Sequence, residues 1–316
     1  MKDFEMVRAI CEYGSFSRAA EELYIGQSSL SMAIQRIEAE LGMPLFDRRQ
    51  HPVRLTAAGE EYMRYYRQIM PLQNNMMAKI RDLSDLKTGT VTFGGTHYLL
   101  SYILPETIVS FTQRYPGIDL QIVEAQSGEF KDKLMNCEID FCLKCDSTDP
   151  KLQTIAHAFF DKLYLAVPRA MVAEKNLGEN YLTAEDIREG RDDGYQHNFR
   201  IEDFRKMTFL QLTPGNNLYK RSEAVFEQLG VRPEKVIMFQ QFVTAYNLAE
   251  TGLGCTLASS RLISKRKYSD LVYYSLPSPL MMRDFHFTTK KDAYISKAIR
   301  AFCALFAEID KKKEMR

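Results

Sequence analysis

Residues 14–42 read GSFSRAAEELYIGQSSLSMAIQRIEAELG, and no other stretch restricts the chain so strongly. Leu30, Ile34, Ile37 and Leu41 recur at intervals of four, three and four, so the spacing predicts a helix with one apolar stripe facing a core. Ser28, Ser29, Met32, Gln35 and Arg36 fall on the opposite face. The preceding segment predicts a shorter helix, with Ser17 as its cap, Ala19 and Ala20 small enough for a close helix crossing, and Gly26 at a turn needing positive φ. Phe4, Val7 and Cys11 make a first helix and complete a unit that can bury its own core. Two helices of this size, with small polar side chains opening the second, are what sets a helix into the DNA major groove. A purely structural helical hairpin has the same periodicity, so spacing leaves both readings open.

Net charge does not separate them. The 316 residues sum to +1, and residues 1–87 hold 12 Lys plus Arg against 12 Asp plus Glu. What remains is local: Arg48, Arg49, His51 and Arg54 crowd around Pro52, which suits a short wing-like hairpin whose cations meet phosphates, or else a solvated basic loop. Candidate base readers are Gln27, Ser28, Ser29, Ser31, Met32 and Gln35, since Gln pairs with adenine, Ser donates or accepts, and Met meets a thymine methyl. Arg18 and Arg36 join the wing arginines as candidate DNA-contacting cations, although Gln35 and Arg36 also fit an ordinary solvent face.

The ordered set Gly14-Ser15-Phe16-Ser17, Ala19-Ala20, Leu23, Gln27, Leu30-Ser31, Glu38, Leu41-Gly42, Leu45-Phe46, Arg48, Leu55-Thr56 and Gly59 resembles the LysR-type transcriptional regulators. The resemblance is strong through residue 60 and looser along the rest. It implies an α/β chain with an N-terminal winged helix-turn-helix (1–58), a linker and dimerisation helix (59–88) and a two-lobed effector-binding domain similar to periplasmic binding proteins (89–305). Lobe I would take 89–160 and 268–305, lobe II 161–267, and 306–316 would be a charged tail. The implied function is sequence-specific regulation of transcription on double-stranded promoter DNA by a homodimer or homotetramer. A small-molecule effector bound between the lobes would control it, and RNA polymerase stands open as a further partner. Family members often carry Pro or Ala at the positions of Ser28 and Ser29 and a polar or basic residue at that of Met32, so base preference does not transfer.

From Thr56 to about residue 87 the pattern predicts one long helix, capped by Thr56, with Pro71 kinking or breaking it near 68–71. Tyr62, Tyr66, Ile69, Met76, Ile80 and Leu83 follow a period near 3.5 with Gln73 at the missing position. Such a stripe packs on its own chain or on a partner; in the resembling family the linker helix pairs subunits.

After residue 89 the texture alternates. Strands are expected at 90–94, 118–124, 139–143, 163–167, 209–212, 236–239 and 285–288, and helices at 103–115, 130–136, 218–229, 244–251 and 294–309, which implies a mostly parallel, doubly wound sheet. The chain should leave lobe I near Phe160 and return near Lys267. Residues 183–198 form either a surface loop or an extra short helix. Ligands of such sheets sit at strand carboxyl ends and helix N-termini, which places Thr96, His97, Tyr98, Gln126, Ser127, Lys144, Ser147, Thr213, Asn216 and Phe242 at an effector site suited to a carboxylate or another anion. For any one of them a structural hydrogen bond serves equally well.

Cys142 and Cys145 form a C-x-x-C with Cys137 five residues earlier, the pattern of a redox or metal site. The run Phe141-Cys142-Leu143-Lys144-Cys145 also reads as a strand with cysteines as small apolar fillers, and no second pair completes a tetrahedral set. The five histidines are scattered, and the sequence has no G-x-S-x-G, P-loop or H-E-x-x-H. No catalysis, metal or cofactor is expected. A charged N-terminus and the lack of an 18-residue apolar run set the expected location as the cytoplasm.

Overall fold

The computed structural model describes residues 2–83, 88–146, 149–175, 177, 180–191, 201–266 and 269–314. Contacts divide the chain into two units, Met1–Met77 and Ala78–Arg316. The first contains α1 (Lys2–Tyr13), α2 (Phe16–Glu22) and α3 (Gln27–Leu41), then a wing of β1 (Phe46–Asp47) paired antiparallel with β2 (Arg54–Leu55). Val7, Ile10, Ala19, Ala20, Leu30, Ile34 and Ile37 close its core together with Leu45 and Phe46. A Cβ on Gly14 (φ 61) would stand 2.6 Å from the Cβ of Pro52, and Val53 N donates to Gly14 O at 2.9 Å. The wing therefore closes against the α1–α2 junction.

Three local expectations are corrected. Ser15 rather than Ser17 caps α2, accepting from Arg18 N at 3.5 Å. The left-handed turn residue is Tyr24 (φ 54), while Gly26 keeps φ −67 as the N-cap of α3. Leu41 is 49% exposed, because α3 ends there and Gly42 (φ 70) turns the chain away beyond the last buried position, Ile37.

The long helix α4 (Ala57–Asp82) starts where Thr56 Oγ1 accepts from Gly59 N at 3.1 Å. Of the kink or break expected near 68–71, the break is absent, since the helix continues through Pro71; the missing donor costs about 3 kcal/mol, which so long a helix carries without ending. Its expected extension toward residue 87 falls on 84–87, outside the described residues. Tyr62 and Tyr66 turn inward onto Phe4, with ring centroids at 4.6 and 4.9 Å, and Tyr66 is buried. Neither belongs to an open helix seam, because their aromatic area is used in the core beside them. Ile69, Met76, Ile80 and Leu83 stay exposed, joined by Tyr65 and Leu72.

The second unit begins with β3 (Gly89–Gly95), a π turn at Leu99–Ile103, α5 (Pro105–Arg114), β4 (Ile118–Glu124), α6 (Phe130–Met135) and β5 (Phe141–Cys145). Then come β6 (Leu152–Pro168), α7 (Arg169–Lys175), α8 (Ala184–Arg188), α9 (Ile201–Phe204), β7 (Thr208–Leu212), α10 (Asn217–Leu229), β8 (Lys235–Phe239) and α11 (Phe242–Glu250). The unit ends with β9 (Thr256–Ser259), α12 (Ser260–Ile263), β10 (Leu271–Tyr274), β11 (Met282–Lys290) and α13 (Lys297–Glu314). The sheet order is β10-β6-β11-β5-β3-β4, with β9 also on β6.

This arrangement is mixed, not mostly parallel. β4, β3 and β5 run parallel, as do β7 and β8, but β11 pairs antiparallel with both β5 and β6, and β9 and β10 pair antiparallel with β6. The cause is β6, 17 residues long, which serves both lobes: up to Lys162 it pairs with β11, and from Leu163 with β9 and then β10. The change of partner falls between Lys162 and Leu163, two residues beyond Phe160. The return is later, because β10 still pairs with lobe II residues 165–168 and the chain re-enters lobe I only with β11; Lys267 itself lies outside the described residues.

The proposed charged tail is also corrected. α13 runs to Glu314, Phe306 is buried, and Asp310 takes a two-pronged pair from Arg261 at 2.5 and 3.0 Å. Within 183–198 a short helix, α8, is present, and 192–198 lie outside the described residues. Among the described residues no helix is long and apolar enough to cross a membrane.

Candidate DNA-contacting face and effector cleft

The buried stripe of α3 fixes which side chains face out. With Leu30, Ile34 and Ile37 in the core, Gln27, Ser28, Ser29 and Gln35 are exposed, Met32 is 63% exposed and Ser31 is half-buried. Gly26 supplies no side-chain cap, so the first amides of this helix are not satisfied by one.

The arginines divide into two groups. Arg36 donates to Asp3 at 2.7 Å, and Arg48 donates to Glu38 Oε2 at 3.0 Å while lying over the Phe16 ring at 5.1 Å. Glu38 Oε1 also accepts from Leu45 N (2.8 Å) and Phe46 N (3.3 Å), so this carboxylate anchors the wing to α3. Arg18, Arg49 and Arg54 are exposed and make no ion pair among the described residues. Sequence reasoning treated the five alike because partners 33 and 10 residues away are set by tertiary contact.

In the second unit Thr96, His97 and Tyr98 follow β3 into a cleft of about 520 Å³, counted with the part open to solvent. Ser127, Lys144, Asn216 and Phe242 also line it. Gln126 and Thr213 do not: Gln126 lies against Gly215, and Thr213 N continues the strand pairing to Phe239 O at 2.9 Å. Ser147 lies outside the described residues. Two lining side chains already serve structure, since Ser127 Oγ accepts from Asn217 N at 2.9 Å across the lobes and Asn216 Oδ1 accepts from Leu218 N at 3.4 Å as the cap of α10. A backbone bond from Gly128 N to Gly215 O, 3.1 Å, joins the lobes beside them.

Arg283, Phe285, Gln241, Asn217 and Cys145 also line the cleft and were not anticipated. Arg283 is 3% exposed; its Nε donates to Asp161 Oδ2 at 3.0 Å and its Nη2 donates to the same oxygen. Asp161 Oδ1 accepts from Ser259 Oγ at 2.8 Å and Ser260 Oγ at 2.9 Å, and Tyr98 OH reaches Ser259 Oγ at 2.8 Å. Burial pushes the Tyr98 phenol well above its ordinary value, so it stays neutral. Arg283 was missed because the strand was expected only at 285–288, whereas β11 begins at Met282 and its register on β6 sets Arg283 opposite Asp161. Among the described residues no carboxylate lines the cleft, whereas Lys144 and Arg283 do.

The C-x-x-C lies in β5, two residues later than the expected strand. Side chains three apart on a strand face opposite ways; Cys142 packs with Phe130, Leu134 and Ile139, and Cys145 in the main core. Burial pushes both thiols up to about 12. All six cysteines are free, and no group of three metal-binding side chains occurs among the described residues.

Two family descriptions match this arrangement: residues 1–60 match the bacterial regulatory helix-turn-helix protein, lysR family, and residues 84–190 and 193–310 match the LysR substrate binding domain. The chain belongs to the LysR family of transcriptional regulators, DNA-binding proteins with an effector-binding domain. It is 26% identical to YcgK of Bacillus subtilis (strain 168), an uncharacterized HTH-type transcriptional regulator, covering 98% of this chain and 94% of that one. A probable RuBisCO transcriptional regulator of Porphyra purpurea is also 26% identical, over 96% of this chain and 91% of that protein. Among solved structures, full-length CbnR complexed with its target DNA is similar at a TM-score of 0.58 and 17% identity, covering 98% of each chain. A full-length OxyR variant from Pseudomonas aeruginosa is similar at 0.64 and 18%, covering 96% of each. At such identities the likeness is one of fold.

Proposed function

We propose that the regulator reads its operator with Gln27, Ser28, Ser29, Ser31, Met32 and Gln35 of α3, and that Arg18, Arg49 and Arg54 hold phosphates. The observation carrying this reading is the open outer face of α3 above a buried stripe. Arg36 and Arg48, already paired, contribute by holding α1 and the wing in place. The exposed stripe Tyr65, Ile69, Leu72, Met76 and Ile80 on α4, with Leu83 just past its end, supports a homodimer, with tetramers as a further level of assembly. Lys144 and Arg283, in a cleft whose described lining holds no carboxylate, favour a small organic anion as effector.

Binding of the full chain to DNA upstream of its neighbouring genes, followed by anisotropy at several salt concentrations, tests the reading. Gln27→Ala should weaken specific binding about tenfold or more, the order of one lost bidentate base contact, while leaving nonspecific binding unchanged. Arg49→Ala and Arg54→Ala should weaken all sequences alike and lower the salt slope by about one each. Equal loss on every sequence for Gln27→Ala would overturn the base-reading assignment.

A further inference from the structure

The cleft floor contains a cationic group only partly used by the protein. Arg283 and Asp161 are directly opposite across β11 and β6, and Ser259 pairs with Leu163 two residues along, so the network Tyr98–Ser259–Asp161–Arg283 sits where β6 passes from one lobe to the other. Asp161 is fully engaged: Oδ2 takes both donors from Arg283, and Oδ1 takes two serine hydroxyls. Arg283 is not. Its Nη1 makes no hydrogen bond among the described residues and is not sealed from solvent, and the side chain lines the cleft. The guanidinium, 5.0 Å from the centre of the Phe285 ring, is held by one carboxylate oxygen on its Nε–Nη2 edge, and Nη1 on the other edge has no partner among the described residues.

Building on the reading of the cleft as an effector site, we infer that Arg283 is its anion-recognising residue: Nη1 donates to a carboxylate of the effector, whose apolar body lies against Tyr98, Leu99 and Phe242. Three features support this over a purely structural arginine. A group needed only to neutralise Asp161 would not leave a donor open to a cleft. The fork is preorganised by Asp161, which lowers the ordering cost of binding. Lys144, on β5 beside β11, adds a second positive charge with no carboxylate among the described lining residues to cancel it. Because Arg283 pairs with Asp161 on β6, two residues before that strand takes up β9 at Leu163, an anion there meets the one strand that serves both lobes.

The test is calorimetric titration of the full-length protein with benzoate and hexanoate and with the neutral amides benzamide and hexanamide. Wild type should bind each acid about tenfold or more tightly than its amide, the scale of one charge-assisted hydrogen bond. Arg283→Lys keeps the charge beside Asp161 but loses the fork, and should erase most of that preference. Should this variant fail to fold, the wild-type protein with ¹⁵N-labelled arginine gives a second readout, in which an arginine side-chain resonance shifts with benzoate and not with benzamide. Acid and amide binding equally well, or an acid preference undiminished in Arg283→Lys, overturns the Arg283 assignment while leaving a small-molecule cleft in place. No binding by any of the four overturns both.

Discussion

At the scale of single residues, Glu38 shows how one side chain converts local helix into a working head. It lies on α3, but its two oxygens take Leu45 N, Phe46 N and Arg48, so the wing is held by a carboxylate from the reading helix. Glu38→Ala leaves two backbone donors and a guanidinium without their acceptor. It should lower the unfolding free energy of the N-terminal unit by about 2 kcal/mol, in the range for hydrogen bonds to a charged group, as measured by urea titration. An unchanged midpoint would show that the wing is anchored elsewhere. The outward face of α3 was legible from its spacing, because periodicity fixes which side chains share a face. The pairing of Arg36 with Asp3 was not, since nothing local to either residue specifies the other.

At the scale of elements, helix ends were the least legible feature and are among the most informative. α8 carries a full capping box, in which Thr183 Oγ1 accepts from Asp186 N at 3.2 Å and Asp186 Oδ2 accepts from Thr183 N at 2.8 Å. Hydrogen bonds from Thr183, aided by Arg191, hold the Asp186 carboxyl below its ordinary value of 3.8. A carboxylate depressed in the folded state stabilises fully above that ordinary value, and the contribution is lost as pH falls through the lower folded value. Asp186→Asn should therefore cost about 1 kcal/mol at pH 7, the usual worth of a cap. The difference from wild type should shrink in denaturant melts as the pH is taken below that ordinary value and through the lower folded one, and a difference constant with pH would rule out the carboxylate as its source. Conversely, α4 passes Pro71 unbroken, and the apolar stripe read from its sequence splits into Tyr62 and Tyr66, packed in a core, and four exposed positions. One-dimensional spacing cannot say what stands opposite a stripe.

At the scale of the second unit, the lobes meet at the cleft mouth through Gly128 N and Gly215 O, beside Ser127 and Asn217. A Cβ on Gly128 would stand 2.6 Å from that oxygen. Gly128→Ala should thus hold the lobes apart, costing about 1–3 kcal/mol as overpacking does and weakening effector binding in a thermal-shift titration; wild-type binding in this variant would mean that the contact is dispensable. The sequence by itself determined the apolar stripe and outer face of α3, the long helix, the first strands and helices of the second unit, and about half of the residues lining the cleft, because each follows from short-range spacing and from the turns that end strands. Only tertiary structure decided that β6 belongs to both lobes, that the chain returns with β11, and that Arg283 meets Asp161 on the cleft floor. Those pairings join residues ninety or more positions apart, and strand partners at that distance are chosen by the packing of the whole sheet, which local periodicity does not encode.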